Sequence, residues 1–328
     1  SLSDDSNSQW QQMGNTIGRM AYHDRSIWDG AVSLNKSGTI LAVGCPEAGA
    51  GNNFGYLVGS VRIYEYKVPS VEEWNSTFDY EFASGNNAVM YSYDTVIKGS
   101  DTTQVSGKKY IVLDTQLYQE SDPWATTGKY FGDAVSLNDS GNMIIIGASS
   151  SGDWNSTTHR FVGKTRVYRK INSTWTQLGS ELSGYDHGEL STTTKEIGQF
   201  GKTVDINGEG NIICIGGPID GDDQRGRVYV YKWNNGTNYL SGDWSLLGSV
   251  FQDMTRSNRL GMCVSLNGLG NRLAFSSIDG PNDSSKKGDV QIYEQEYEPQ
   301  KNHILINADI SGNDASFNNL NLLGDLSG

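Results

Sequence analysis

The sequence predicts an all-β fold built from tandem repeats. Its 328 residues include 40 glycines and 17 tyrosines but only 6 prolines, a composition typical of short strands joined by tight turns. Four segments with the same order of apolar and polar residues also align without gaps, which indicates a repeat architecture. The aligned segments are residues 28–46, 131–149, 200–218 and 260–278.

Each copy begins with the pattern of two strands joined by a short hairpin. In the first copy, Val32 and Leu34 flank Ser33, the alternation expected of a half-buried strand. The second strand is apolar throughout, as at residues 144–146, which indicates that neighbouring sheets cover both of its faces. The Asn-x-x-Gly turn between the strands needs a glycine that adopts positive φ. The turn glycines are Gly38, Gly141, Gly210 and Gly270.

Two further motifs complete a four-stranded repeat. A third strand of pattern Gly-x-(Val/Thr)-x-(Ile/Val)-Tyr follows each hairpin, and a Trp-x-x-(Leu/Met)-Gly motif supplies a fourth strand at residues 175–179 and 244–248. A lone sheet of this kind cannot bury both faces, whereas sheets packed radially as the blades of a β-propeller can. A linear solenoid is the alternative, but its repeats are shorter than the roughly 60 residues found here. The third-strand motifs begin at Gly59, Gly163, Gly226 and Gly288.

The two ends of the repeat region predict how the ring closes. No Trp motif follows the last repeat, and one copy of the motif stands alone at residues 10–14. We therefore predict that this N-terminal segment forms the outer strand of the last blade and closes the propeller. The alternative is that residues 10–14 belong to an earlier blade.

The interval between the first and second copies is longer than the others. The surplus, at about residues 86–128, contains two strand-like runs, 89–97 and 109–117, but none of the repeat's motifs. We interpret it as an insertion in a propeller of four blades, with a diverged fifth blade as the alternative. The propeller domain is predicted to span residues 1–298.

The combination of Phe-Gly, Val-Ser-Leu-Asn and a Gly-x-Val-x-Ile-Tyr strand resembles the FG-GAP type of propeller repeat, the family that includes integrin α-subunit heads. In integrin-like members of that family, the first hairpin often carries a calcium loop with several aspartates. The corresponding loops of this sequence hold at most one acidic residue each, which is too little anionic oxygen for a calcium cage. The resemblance therefore implies the architecture without the family's metal sites.

The C-terminal segment, residues 299–328, has a different character. Asp-Ile-Ser-Gly at residues 309–312 recurs as Asp-Leu-Ser-Gly at 325–328, and the segment resembles repeats in fibre and stalk proteins of giant algal-type viruses. This resemblance implies a linker and the beginning of a stalk, which could support self-association, at a virion surface or another extracellular location. A disordered polar tail is the alternative.

The sequence carries little sign of chemistry. The four histidines have no partner at metal-ligand spacing, and no nucleophile or phosphate-loop motif occurs, so we expect no enzyme, no metal and no cofactor. The net charge of −13 argues against nucleic-acid binding, and no apolar run is long enough for membrane insertion.

Cys45, Cys214 and Cys263 lie in apolar runs and are predicted to be buried free thiols. The acidic loop at residues 220–223 fits either a cation or a solvated turn.

Loop lengths indicate where a ligand would bind. The connections between the second and third strands and those between blades are long and dissimilar, and in a propeller both sets open on one face. Aromatic side chains there could stack on sugar rings or anchor a protein. We therefore expect the binding head of a surface fibre, spike or adhesin that recognises a glycan or protein receptor. A structural or assembly module without its own receptor is the alternative. The candidate ligand-binding residues are Tyr22, His23, Phe54, Tyr56, Trp124, Trp154, Tyr185, Asp186 and His187.

Overall fold

The structure is a computed structural model in which the chain divides into two compact units, Ser1–Tyr293 and Glu294–Gly328. The described residues belong almost entirely to the first unit, and the stalk-like repeat predicted at residues 299–328 lies outside them. The structure describes residues 10, 31–46, 59–67, 110–118, 130–151, 160–184, 196–220, 225–237, 239–252, 259–278 and 288–295.

Four antiparallel sheets follow one another along the chain, arranged as a four-bladed β-propeller, and the predicted fold class is confirmed. The first sheet has the order β1-β2-β3-β4. Its strands are β1 Val32–Leu34, β2 Ile40–Cys45, β3 Ser60–Lys67 and β4 Tyr110–Tyr118.

The second sheet repeats this order with its outer strand in two pieces. Both pieces pair with the third strand, and Gly179 (φ 76°) lies between them. The strands are β5 Phe131–Leu137, β6 Met143–Ala148, β8 Lys164–Ile171, β9 Thr174–Gln177 and β10 Leu182–Ser183. A short parallel pair stands beside the sheet, formed by β7 Arg160–Phe161 and β11 Glu196–Ile197.

The third sheet also has a broken outer strand, and the fourth has three described strands. Among the described residues, the only helical element is a 3-10 turn at Tyr239–Ser241, and no helix there is long and apolar enough to span a membrane. The third sheet contains β12 Thr203–Ile206, β13 Ile212–Gly217, β14 Arg227–Asn234, β15 Asp243–Leu246 and β16 Phe251–Gln252. The fourth contains β17 Val264–Leu266, β18 Arg272–Ser277 and β19 Asp289–Glu294.

The core lies between consecutive sheets, in three layers. Strand β6 shows why the second strand of each repeat is apolar throughout. Ile144 and Ile146 point into the layer shared with the first sheet, whereas Met143 and Ile145 point into the layer shared with the third sheet. All four side chains are buried, and each contributes about 1.5–3 kcal/mol by leaving water.

The asparagine of each hairpin turn explains the Asn-x-x-Gly motif. The Asn138 side-chain oxygen accepts a hydrogen bond from the amide of Met143 at 2.9 Å, and the Gly141 amide donates to the Asn138 carbonyl at 3.0 Å. Gly141 adopts the predicted positive φ of 72°. Because the asparagine satisfies amides that the tight turn leaves unpaired, the same bond recurs in every copy. The equivalent acceptors are Asn35, Asn207 and Asn267.

Strand β4 corrects the interpretation of the long first interval. The run predicted as part of an insertion pairs antiparallel with β3 along its whole length, and it occupies the outer position that the Trp motif holds in the next two sheets. It therefore belongs to the first blade rather than to an insertion or a fifth blade. The other predicted run, residues 89–97, lies outside the described residues.

The structure does not confirm the predicted closing strand. Trp175 and Trp244 are buried, and the indole nitrogen of Trp244 donates to the Leu178 carbonyl of the preceding sheet at 3.0 Å. Trp10, by contrast, is fully exposed and lies in no strand. Residues 11–14 are outside the described part of the chain, so closure by this segment stays a prediction.

Two of the three cysteines have the predicted environment. Cys45 and Cys214 are buried free thiols, but Cys263 is exposed, so the prediction of burial was wrong for this residue. The physical reason is its position on the fourth sheet. Cys263 precedes β17 on the side that faces away from the third sheet, and no described strand packs against that side.

Candidate binding surface

The sheets present two edges of different character. Antiparallel pairing brings together the start of the first strand, the end of the second and the start of the third, as in the pairs Phe131↔Ala148 and Ala148↔Lys164. We call this side of the propeller the loop edge. The opposite side, which carries the four Asn-x-x-Gly turns, is the turn edge. Because every sheet has the same register, the two edges keep these roles throughout.

All the predicted ligand-binding residues lie in connections that leave from the loop edge, and all lie outside the described residues. The structure therefore places the ends of their segments and says nothing of the side chains. Strand β4 refines one segment, since Tyr118 pairs with Ser60 and only residues 119–129 then leave from the loop edge. The connections that hold the predicted residues are 11–30, 47–58, 119–129, 152–159 and 185–195.

Glycines join neighbouring sheets directly beneath these connections. Gly59, which begins a third-strand motif, pairs with Phe131 of the next sheet, and Gly226 pairs with Leu260 in the same way. Gly132 has a φ of 96°, and a Cβ atom on it would lie 2.6 Å from the Ser60 carbonyl oxygen. The glycine that begins each of the first three third-strand motifs therefore meets the Phe-Gly or Leu-Gly pair of the next sheet. Sequence reasoning identified both motifs but missed this contact, because alignment of the copies does not show which residues of different copies meet.

An ion pair crosses from the second to the third sheet at the loop edge. The Lys202 ammonium lies 3.0 Å from a carboxylate oxygen of Asp133, which also accepts a short hydrogen bond from the Ser149 hydroxyl. The Asp133 side chain is almost fully shielded from solvent. Together these contacts hold the start of one sheet's first strand to the start of the next.

A second charged group lies within the second sheet. The Glu181 carboxylate accepts from Lys164 and from Arg166, both at 2.7 Å. Burial by itself would raise the pKa of Glu181, but the hydrogen bonds and charges of the two cations outweigh it, so the pKa is lowered. This triad fixes β10 against β8 immediately before the connection at residues 185–195.

Asp220 closes the base of the connection at residues 221–224. Its amide donates to the Gly217 carbonyl at 2.9 Å, and its carboxylate accepts from the Tyr229 hydroxyl at 2.5 Å. Burial and the adjacent Asp220 charge raise the pKa of Tyr229, so this hydroxyl stays a donor. Asp220 is buried, so the alternative of a solvated turn does not hold for this residue. Asp222 and Asp223 lie outside the described residues.

The described residues thus form a frame from which most of the long connections leave on one side. Among them, no group of three or more His, Cys, Asp or Glu side chains could hold a metal ion. Fold and edges together define a β-propeller with most of its long connections on one side, and with four short hydrogen-bonded turns and the connection at residues 68–109 on the other.

No protein-family model matches the chain, and no curated protein sequence matches it either. The resemblances to FG-GAP repeats and to viral fibre repeats therefore stay predictions.

Proposed function

We propose that this chain is a non-enzymatic binding head, which recognises a glycan or protein receptor through the connections of its loop edge. The observation that supports the proposal is the asymmetry of the two edges. Most connections of dissimilar length and sequence leave from the loop edge, whereas the turn edge carries four hairpin turns of one type and one long connection, residues 68–109, between β3 and β4. Dissimilar loops on a rigid frame are the common basis of recognition sites.

The composition of these connections favours a ligand with apolar faces. They contain Trp124, Trp154 and Tyr185, and large aromatic rings bind sugars by stacking and bind proteins as anchors in a buried contact. The net charge of −13 disfavours polyanionic ligands. A neutral glycan or a protein surface without excess negative charge fits these properties.

The same proposal includes the kind of surface structure to which the binding head belongs. A stalk-like C-terminal repeat beyond a propeller has the anatomy of a fibre, spike or adhesin, on a virion or at another extracellular surface. Self-association would then occur through the stalk rather than through the loop edge. The competing function is a structural or assembly module of such a fibre without its own receptor.

Binding of the full chain to a glycan array and to a panel of cultured cells distinguishes the two functions. We expect selective binding that the double substitution Trp124→Ala/Trp154→Ala abolishes. The matched control is Leu269→Ala, which removes an exposed apolar side chain from the turn edge and should leave binding unchanged. No binding in either panel, or an equal loss of binding in the control variant, would support the structural module instead.

A further inference from the structure

The outward faces of the first and last sheets are apolar and exposed. Val32 in β1 is 70% exposed, and Ile292 in β19 is 75% exposed. Their neighbours on the same faces, Leu34 and Val290, are similarly open. Contiguous apolar surface of this kind is uncommon on a soluble protein unless something covers it.

The repeat shows what covers these positions elsewhere. Val135 aligns with Val32, is only 7% exposed, and packs against the preceding sheet. Val230 aligns with Ile292, is 8% exposed, and packs against the following sheet. The first sheet has no described sheet before it, and the last has none after it. The two exposed faces are therefore the two complementary halves of one more interface of the same kind.

Hydrogen bonds along the turn edge join each sheet to the next one in chain order. The Lys36 amide donates to the Asp139 carbonyl at 3.2 Å, Asp139 donates to Gly208 at 3.2 Å, and Gly208 donates to Gly268 at 2.9 Å. No described residue accepts from the Gly268 amide. The next acceptor in this cyclic order is the Lys36 carbonyl.

Packing of the turn glycines agrees with this order. A Cβ atom on Gly141 would lie 2.8 Å from Ile40 of the preceding sheet, and one on Gly270 would lie 2.9 Å from the Asn207 side chain. Gly38 alone among the four turn glycines has nothing within 4 Å of that position. Its place in the repeat would put it against Asn267 of the last sheet.

Polar contacts between the first strands of neighbouring sheets are a third group of observations that follows the same order. The Ser33 hydroxyl accepts from the Leu137 amide of the next sheet at 2.9 Å, and the Asp205 carboxylate accepts from Leu266 at 2.7 Å. Ser265 occupies the same position in the last sheet. The amide that it would meet is that of Leu34.

We propose that the first sheet of the same chain covers the last sheet, so that the propeller closes directly through a fourth sheet-to-sheet interface. In that interface the Gly268 amide donates to the Lys36 carbonyl, and the Ser265 hydroxyl accepts from the Leu34 amide. Four blades lie within the range that propellers adopt. A partner within the same chain is favoured because tethering raises its effective concentration, whereas two copies of net charge −13 repel each other.

Disulfide formation tests this closure at the turn edge. The closing pair is Lys36→Cys/Gly268→Cys, and the matched control is Lys36→Cys/Asp139→Cys, whose native side chains meet at 2.8 Å. Both pairs share one substituted position, and Gly268 has open space for a side chain and no positive φ. Both are made with Cys263→Ser to remove the exposed thiol. A disulfide forms only when the two Cα atoms lie within about 7 Å of each other. Residues 36 and 268 meet this condition only if the first and last sheets pack together.

Mild oxidation should link the closing pair within one chain, as a monomer on a non-reducing gel, to about the extent seen for the control pair. Mass spectrometry should find the peptides of residues 36 and 268 joined. A control pair that forms while the closing pair stays reduced would overturn the proposal. A covalent dimer would also overturn it and would assign the face to a second copy.

The native thiol of Cys263 gives a second measurement that needs no substitution. Cys263 aligns with Ala134, which is only 7% exposed in the second sheet, so closure should shield Cys263 in the same way. We expect the folded full chain to react with a thiol reagent at least about tenfold more slowly than the chain in urea. Reaction of one thiol per chain at the unfolded rate would contradict closure.

Discussion

The carboxylate of Asp205 accepts a hydrogen bond from the amide of Leu266 at 2.7 Å, across the interface between the third and fourth sheets. The same carboxylate accepts from the Ser136 hydroxyl of the second sheet, also at 2.7 Å. One side chain therefore connects three consecutive blades through their first strands. The packing of sheet on sheet is thus supplemented by directional contacts near the inner strands.

Replacement of Asp205 by alanine should destabilise the fold. Hydrogen bonds to a charged group contribute about 1.5–3 kcal/mol, and two cross-sheet bonds are lost in Asp205→Ala. We expect the free energy of unfolding, measured with urea, to fall by about 3 kcal/mol. Ser33→Ala loses one neutral bond of the same kind and should cost about 1 kcal/mol. Equal losses in the free energy of unfolding for the two substitutions would contradict the larger contribution assigned to the Asp205 hydrogen bonds.

The close approach at Gly132 gives a second prediction. Gly132→Ala introduces a Cβ atom at a φ of 96° and 2.6 Å from the Ser60 carbonyl. Gly248→Ala is the matched control, because Gly248 has a φ of 77° but nothing within 4 Å. The control should cost about 1–2 kcal/mol from backbone strain, and Gly132→Ala at least about 2 kcal/mol more, since two sheets must separate. Similar values for both would contradict the tight junction.

Acid should weaken the second sheet through Glu181. Its folded pKa is lowered from the ordinary value of 4.5 because Lys164 and Arg166 stabilise the carboxylate. A lowered folded pKa adds stability that is complete above pH 4.5 and is lost as the pH falls through the folded value. Thermal unfolding midpoints should therefore drop less between pH 5 and pH 3 for Glu181→Gln than for the native chain. A steeper drop in the variant would reverse the assigned sign.

Two kinds of glycosylation sequon should behave differently in a secreted, folded chain. Asn138 begins an Asn-x-Ser sequon, but its side chain is buried and accepts the Met143 amide. Asn172 begins an exposed sequon in the turn after β8. Expression in a glycosylating host should give glycan at Asn172 and none at Asn138, measured by peptide mass spectrometry. Glycan on Asn138 of folded protein would contradict the turn geometry.

Much of the scaffold followed from sequence because its causes are local. The alternation around Ser33, the apolar run at residues 144–146 and the positive φ of Gly141 each depend on neighbours within a few residues. The outer strand Tyr110–Tyr118 was misplaced because it lacks the Trp motif, and only pairing with β3 identifies it. The junction of Gly59 with Phe131 was missed because it joins residues far apart in the chain. Of the candidate site, sequence predicted the edge from which the connections leave, since that depends only on strand order.

The exposed Cys263 and the buried Asp220 illustrate a second limit. Both were interpreted from the composition of their own segments, one apolar and one acidic. Their burial is decided instead by whether another element packs against them. Among the described residues, no strand packs on the side of the last sheet that holds Cys263, whereas Asp220 lies against Tyr229.

Hydrogen exchange of the full chain, with and without a glycan or cell-surface protein identified by the binding panels, tests the central claim most directly. Recognition by the loop edge predicts that protection on binding is confined to connections of that edge, with the largest change at residues 119–129, 152–159 and 185–195. Protection centred on the turn edge at residues 36–38, 139–141 and 208–210, or on the C-terminal residues 299–328, would contradict it.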